Sequence, residues 1–144
     1  MNKAVFLDRD GTLIEDVGYL SHEKDISLID GAAEAVHNLK NAGFKTVMIT
    51  NQAAIARGII TEDRFKEINS QILAEFSHKG AEFDGVYYCP HHPTAGKGKY
   101  LVNCSCRKPL PGMLLKATKD LDLDLNNSFM IGDKDIDIEC GANA

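Results

Sequence analysis

The chain has 144 residues, which is enough for one domain with a hydrophobic core. Apolar residues make up 44% and charged residues 26% of it, as in globular proteins and unlike disordered ones. The formal net charge of −5 argues against a nucleic-acid partner, and no stretch approaches the roughly 20 apolar residues of a membrane helix.

The N-terminal segment MNKAVFLDRDGT lacks the pattern of a secretory signal, because its apolar run is short and soon reaches an acidic residue. We therefore expect a cytoplasmic protein. Thiols stay reduced in that compartment, so a disulfide is the less favoured use of the four cysteines.

Strands and helices alternate along the chain. The predicted elements are, in order, a strand at 3–7, a helix at 31–42 with Asp30 as N-cap and Gly43 as C-cap, a strand at 44–50, a helix from Thr61 to about Gly80, a strand at 85–89, a helix beginning near Pro111, and a strand at 128–133. We expect Met113, Leu114 and Leu115 in the core. The alternation predicts an α/β fold, with one parallel sheet covered by helices on both faces, in a single domain spanning residues 1–144.

Acidic side chains follow two of these strands. Asp8 and Asp10 are two residues apart at the end of the first strand, so they point the same way if the extended conformation persists. Asp133 and Asp137 follow the last strand and could complete an all-oxygen cluster suited to Mg²⁺. From spacing alone, DRDGT fits a solvated turn equally well, because Asp and Gly favour turns.

The motifs taken together resemble a known superfamily. VFLDRDGTL, VMITNQ, CRKP and IGDKDID resemble, in this order, the four motifs of the haloacid dehalogenase superfamily. The stretches GYL, TNQAAIARG, YYCPHHP and CSCRKPLPGML are similar to the phosphatases of D-glycero-D-manno-heptose 1,7-bisphosphate. Histidinol-phosphate phosphatases are the nearest relatives of that family. The resemblance implies a three-layer, Rossmann-like fold.

The resemblance also implies a two-step phosphoryl transfer. Asp8 would be the nucleophile and Asp10 the general acid and base. Mg²⁺ would be held by the carboxylates of Asp8 and Asp133 and by the backbone carbonyl of Asp10. Thr50 and Lys108 would bind the transferring phosphoryl group. Three further residues match family positions that touch substrate or order the site: Asn51, Lys134 and Asp137.

The cysteine-rich stretch 89–109 contains one Cys-x-His and one Cys-x-Cys pair. This spacing is tighter than that of common zinc fingers. Similarity to the heptose phosphatases implies a structural Zn²⁺ bound by Cys89, His91, Cys104 and Cys106. His92 would be a packing neighbour of that site, and Cys140 a buried small residue.

Substrate selection is assigned to short loops. The segment between the first two strands is short and mostly helical, so no cap domain fits there. By resemblance, the residues lining the sugar side are Asp16, Val17, Gly18, Tyr19, Gln52 and Ala53. Arg107 would contact the second phosphate or sugar hydroxyls, and Arg57 is expected to be a solvated surface charge.

The sequence departs from the family at two places. Ala53 and Ala54 stand where relatives usually have Ser-Gly, so we expect strain at Ala54 or an altered substrate preference. Relatives continue into a further strand and helix after the fourth motif, whereas this chain is short there. We therefore expect an uncovered sheet edge.

The resulting hypothesis is a Mg²⁺-dependent phosphatase that removes the C7 phosphate of a heptose bisphosphate, in the assembly of heptose for lipopolysaccharide core or surface glycans. It would act as a monomer on a small phosphorylated sugar, without nucleic-acid or membrane partners. Histidinol phosphate is the alternative substrate. A DNA 3′-phosphatase shares the chemistry but is disfavoured by the acidic charge, and an inactive, zinc-stabilised binding module is the alternative of another class.

Overall fold

The computed structural model describes residues 1–144 and contains four strands and five α-helices. The strands are β1 (Ala4–Leu7), β2 (Lys45–Asn51), β3 (Gly85–Cys89) and β4 (Phe129–Ile131). The helices are α1 (Ala32–Asn41), α2 (Ala53–Ala56), α3 (Glu62–His78), α4 (Gly112–Leu121) and α5 (Asp135–Asn143). Every predicted strand and helix is present, whereas α2 and α5 were not predicted.

The strands form one parallel sheet in the order β3-β2-β1-β4. In its register Leu7 lies beside Met48 on one side and Ile131 on the other. The polar loops that follow β1, β2 and β4 therefore leave the sheet at the same edge. In open parallel sheets, ligands bind at this carboxyl edge.

Both faces of the sheet are covered, as the alternation predicts. Val5 and Leu7 of β1 pack with residues of α1 and α3, including Val36, Ile72 and Phe76. Ala4 and Phe6 point to the opposite face and pack with α4 and α5. Because successive side chains of a strand point to opposite faces of the sheet, alternate residues of β1 belong to two separate cores.

Two local predictions are wrong. Asp30 does not cap α1; the N-cap is Gly31, which has a φ of 83° and leaves the helix without a side-chain cap. Leu115 is not in the core, because it is 49% exposed on the outer face of α4 while Met113 and Leu114 are buried. Thr61 does cap α3, since its side chain accepts a hydrogen bond from the Arg64 backbone N–H.

Strand β4 is at the edge of the sheet and pairs only with β1. Its residues Phe129 and Ile131 are 59% and 43% exposed. Between β1 and β2 the chain forms one 3₁₀ turn, Glu23–Asp25, and α1, and it inserts no cap domain. None of the helices combines the length and apolarity that crossing a membrane requires.

Candidate active site and metal-ligand cluster

A cavity opens at the carboxyl edge of the sheet. Most of the predicted site residues line it, namely Asp8, Asp10, Asp16, Gly18, Tyr19, Asn51, Gln52, Ala53, Arg107, Lys108 and Lys134. The lining also includes Ala54, Ile136 and Asp137. Val17 is not part of it and is 50% exposed. Thr50 is buried and lies next to Gln52, whose side-chain amide donates a hydrogen bond of 2.8 Å to the Thr50 hydroxyl.

The centre of the site is a buried ion cluster. The Nζ of Lys108 lies 2.7 Å from Asp8 Oδ1 and 2.6 Å from Asp137 Oδ1. Burial raises the pKa of Asp8 to about 7, against the opposing effect of the Lys108 charge. Burial alone would lower the pKa of Lys108, but the two carboxylates raise it on balance, so Lys108 stays charged.

The backbone of Lys108 is fixed by Asn51 at the end of β2. The side-chain oxygen of Asn51 accepts a hydrogen bond of 3.0 Å from the Lys108 N–H, and its amide nitrogen donates to the Lys108 carbonyl. The Lys108–Pro109 peptide bond is cis. Asn51 therefore connects the sheet edge to the loop that carries the buried cation.

The two carboxylates of the ion cluster and a third one next to them could hold a metal ion. Asp8, Asp133 and Asp137 each offer an oxygen within 4.8 Å of the others, which is the donor chemistry that Mg²⁺ prefers. Both oxygens of Asp137 are already engaged, one by Lys108 and the other by the Lys134 backbone N–H. Asp8 and Asp133 are therefore the better-suited pair, and Asp137 orders the loop.

Gly11 makes room for Asp133 next to this pair. Its φ is 91°, and a Cβ at this position would clash with the Asp133 carboxylate. Glycine meets both demands at once, because it tolerates positive φ and has no side chain. The DRDGT segment is thus a turn, as one interpretation of the sequence holds, and it also brings two strand ends together.

Asp10 is held by donors on both of its oxygens. Arg9 Nε and Nη2 lie 3.1 Å and 3.0 Å from Asp10 Oδ1, and Gln52 Nε2 lies 3.0 Å from Oδ2. Sequence reasoning did not single out Arg9, although it is 2% exposed. An arginine between two aspartates usually indicates a solvated charge, so the sequence carries little signal of this burial.

The loops expected to line the sugar side are ordered by local polar contacts. Asp16 accepts a hydrogen bond of 2.9 Å from the Gly18 N–H, and the Lys134 ammonium lies 3.8 Å from the Asp16 carboxylate. The strain expected at Ala54 is absent, because Ala53 and Ala54 have helical backbone angles in α2. The one non-glycine residue with a positive φ is Asp122, which is far from this loop in sequence. Ala54 packs instead in a small apolar cluster with Ile55 and Phe65.

A second group of ligand-type side chains lies beside the site, where β3 ends. Cys89, His91, Cys104 and Cys106 place their Sγ and Nδ1 atoms within 4.8 Å of one another. The Cys89–Cys104 and Cys106–Cys104 sulfur distances are 3.5 Å and 3.4 Å, and His91 Nδ1 is 3.4 Å from Cys106 Sγ. A tetrahedron with zinc bonds of about 2.0–2.3 Å has edges of about 3.3–3.8 Å, which these three distances match. The Cys89 and Cys106 sulfurs are closer, at 2.8 Å, and would have to separate to bind the ion.

The four residues of this cluster therefore fit a zinc ion. All four cysteines of the chain are free thiols, so no disulfide competes for them. The contact between Cys89 and Cys106 lowers the pKa of Cys106, which favours its thiolate, and raises the pKa of Cys89. His92 is not part of the cluster; its Nδ1 accepts hydrogen bonds from the backbone N–H groups of Thr94 and Ala95.

The cluster is joined to the cavity by the chain itself. Arg107 and Lys108 directly follow Cys106, and Arg107 donates a hydrogen bond to the His91 carbonyl over 3.4 Å. Ordering of the cysteine loop thus fixes the start of the segment that carries the buried ammonium. Arg57 is exposed, as expected.

Comparison with known proteins decides the family. A HAD-hydrolase-like family model matches residues 105–144. The chain is 49% identical over 144 residues to D-glycero-beta-D-manno-heptose-1,7-bisphosphate 7-phosphatase of Pasteurella multocida, covering 100% of this chain and 78% of the relative. The corresponding Haemophilus influenzae protein is 46% identical, with the same coverage.

The chain belongs to the D-glycero-D-manno-heptose-1,7-bisphosphate 7-phosphatase family. Solved structures agree with this assignment. A HAD-like phosphatase from Mesorhizobium loti matches with a TM-score of 0.94 and 38% identity, over 99% of this chain and 68% of that one. D,D-heptose 1,7-bisphosphate phosphatase from B. bronchiseptica, complexed with magnesium and phosphate, matches with a TM-score of 0.85 and 29% identity, over 97% of this chain and 75% of that one.

The raised pKa of Asp8 predicts a pH-dependent stability. Its folded pKa of about 7 is above the ordinary 3.8, so the folded protein binds this proton more tightly and gains stability at low pH. In magnesium-free buffer this contribution, on the order of a few kcal/mol, is lost as the pH rises from about 4 to about 7. Urea unfolding of wild type and of Asp8→Asn at each pH measures it as a difference. A difference that stays constant over this range would contradict the prediction.

The cysteine cluster predicts a selective loss of metal. Cys104→Ser removes one of four ligands and lowers bound zinc from about one ion per chain to a small fraction of that, with a lower Tm. Cys140→Ala is the matched control and should keep the zinc, because Cys140 is a buried thiol of α5 that donates a hydrogen bond to the Leu110 carbonyl and is not one of the four ligands. Metal content by elemental analysis of the purified proteins checks both. Equal zinc in the two variants would show that the cluster does not bind it.

Proposed function

We propose that the protein hydrolyses the C7 phosphate of D-glycero-D-manno-heptose 1,7-bisphosphate, as its relatives are named to do. The observation that carries this is the buried contact of Asp8 with Lys108, beside Asp133, at the carboxyl edge of the sheet. A carboxylate beside a fixed cation and a second carboxylate suits attack on a phosphate ester. Histidinol phosphate is not favoured, because the relatives at 42–49% identity carry the heptose name.

In the first step, an Asp8 oxygen attacks phosphorus. The bond from phosphorus to the sugar oxygen breaks, and Asp10 gives its proton to that oxygen. The Lys108 ammonium offers positive charge to the phosphoryl oxygens where negative charge collects. Asn51 keeps the Lys108 backbone in place, and the Thr50 hydroxyl accepts a hydrogen bond from the Gln52 side chain.

In the second step, a water oxygen attacks the phosphorus of the aspartyl-phosphate. Asp10 takes a proton from this water, the bond between Asp8 and phosphorus breaks, and inorganic phosphate leaves. Asp10 thus returns to the protonation state in which the cycle began. Its place at the cavity wall, two residues after Asp8, allows one carboxyl group to serve both steps.

Asp8, Asp133 and the backbone carbonyl of Asp10 would hold Mg²⁺ in this site. When bound, the ion supplies positive charge that offsets the repulsion between the Asp8 carboxylate and the phosphate. The chain's own arrangement fits this use, because Asp133 and Asp137 lie near Asp8 and both favour its neutral form until a cation is present.

Substrate selection belongs to the loops that surround the cavity. Arg107 offers a planar guanidinium suited to the second phosphate or to sugar hydroxyls, and Asp16 and Tyr19 line the same cavity. A zinc ion on Cys89, His91, Cys104 and Cys106 would order the loop that carries Arg107. The free thiols of this cluster fit the cytoplasm, where we place the reaction as a step in heptose activation for surface glycans.

A direct assay of phosphate release tests this function. We expect Mg²⁺-dependent release of one phosphate from heptose 1,7-bisphosphate, with the C1 phosphate retained, for the α or the β anomer. Histidinol phosphate serves as the competing substrate. Asp8→Asn should lower kcat by about 1000-fold or more, because the amide cannot form the phosphoenzyme. Preferred turnover of histidinol phosphate would overturn the substrate, and an inactive, folded, zinc-loaded protein would favour a binding module.

A further inference from the structure

Arg9 is the largest side chain that is almost completely buried. Taking a guanidinium out of water is costly unless charges and hydrogen bonds replace the lost hydration. An aliphatic side chain would fill the same volume without that cost. The contacts of Arg9 therefore indicate why this buried position holds a cation.

Most of these contacts go to Asp10. Arg9 Nε and Nη2 both donate to Asp10 Oδ1, and Nη2 also reaches Oδ2 at 3.2 Å. This fork approaches the carboxylate side-on and fixes its plane, as paired guanidinium and carboxylate groups do. Gln52 then donates to Oδ2 from another side. The Asp10 side chain remains 22% exposed at the cavity, so the fixed group still faces substrate and water.

Arg9 is itself held by a polar residue of the core. Its Nη1 donates to Asn69 Oδ1 over 3.2 Å, and Asn69 is 5% exposed. Asn69 is the one polar residue among the buried positions of α3, which otherwise are Phe65, Ile68, Ile72 and Phe76. The Arg9 guanidinium also lies over the Phe65 ring, 5.5 Å from its centre. The helix thus contacts the guanidinium through two side chains.

We propose that Arg9, anchored by Asn69 and Phe65 of α3, is a positioning residue that holds the Asp10 carboxyl group for proton transfer. The proposal rests on the proposed function, because Asp10 is the group that moves the proton in both steps. Arg9 itself is not among the residues that line the cavity. Its effect reaches the reaction through the orientation of Asp10, and α3 thereby supports the chemistry from the core.

The choice of leaving group separates positioning from packing. p-Nitrophenolate needs no proton to depart, so attack by Asp8 on p-nitrophenyl phosphate proceeds without Asp10. Hydrolysis of the aspartyl-phosphate still requires Asp10 to take a proton from water. A variant with a misplaced Asp10 should therefore release the first p-nitrophenolate at nearly the wild-type rate and then turn over slowly.

The experiment uses Mg²⁺-saturated, zinc-loaded protein in rapid-mixing assays with p-nitrophenyl phosphate and the heptose bisphosphate. For Arg9→Met we expect kcat to fall about 10- to 100-fold on both substrates, with a burst of p-nitrophenolate and accumulation of acid-stable phosphoenzyme. The KM for the bisphosphate should stay within about 3-fold of wild type. Arg9→Lys keeps the charge without the planar fork, and its kcat should lie between those of wild type and Arg9→Met.

Asn69→Leu tests the same proposal without altering Arg9 or Asp10. It removes the acceptor for Nη1, and we expect a smaller loss in kcat, about 3- to 10-fold, with the same burst. This variant decides the question if Arg9→Met does not fold. Ile72→Val, one turn further along α3, is the packing control and should lose stability while keeping kcat.

The outcomes distinguish a failure of the proposed function from a failure of the positioning role. A wild-type protein that hydrolyses no phosphate monoester would overturn the proposed function. An active wild type with Arg9→Met or Asn69→Leu variants that keep kcat and show no burst would overturn the positioning role alone. A fall in kcat for Ile72→Val as large as for Asn69→Leu would assign the effect to packing and would also overturn it.

Discussion

The site depends on one buried ammonium group. Lys108 brings together Asp8 from the end of β1 and Asp137 from the first turn of α5, and Asn51 at the end of β2 fixes its backbone. Three segments far apart in sequence thus meet at a single charge. Removing Lys108 would leave two buried carboxylates without their cation, which is far more costly than the loss of an exposed ion pair. The sheet supplies the common edge at which this meeting is possible, because all four strands are parallel.

Charge balance relates this interaction to the chemistry. Four carboxyl groups, those of Asp8, Asp10, Asp133 and Asp137, stand near two strongly buried cations, Arg9 and Lys108. With all four ionised, these six groups carry an excess of two negative charges, which a divalent cation would offset. Asp16, Arg107 and Lys134 add one net positive charge at the cavity wall. Before such an ion binds, burial keeps the pKa of Asp8 near 7. The same arrangement divides the cations by role, since Lys108 faces the nucleophile and Arg9 faces the group proposed to move protons.

The sequence predicts the sheet well because its strands are short apolar runs bounded by Gly, Asp and Pro, a local pattern. The cysteine cluster was predicted chiefly by resemblance to the heptose phosphatases, because its Cys-x-His and Cys-x-Cys spacing is tighter than that of common zinc fingers. Helix α5 was missed because it is polar at its start, and its capping box depends on Lys134 and Asp137, which also serve the site. Arg9 was missed because its anchor, Asn69, is 60 residues away, and only the fold shows that α3 lies beside the turn after β1. Leu115 was misplaced because a run of three apolar residues cannot all face the core of one helix.

The central claim is that Asp8 is the residue that carries the phosphoryl group. It is tested most directly by mixing the Mg²⁺-loaded protein with heptose bisphosphate, quenching in acid within one turnover, and mapping the phosphorylated peptide by mass spectrometry. The account predicts one added phosphoryl group on the N-terminal peptide that contains Asp8, and none in the Asp8→Asn protein. Turnover with the phosphoryl group on another residue, or on none under the same quench, would contradict it.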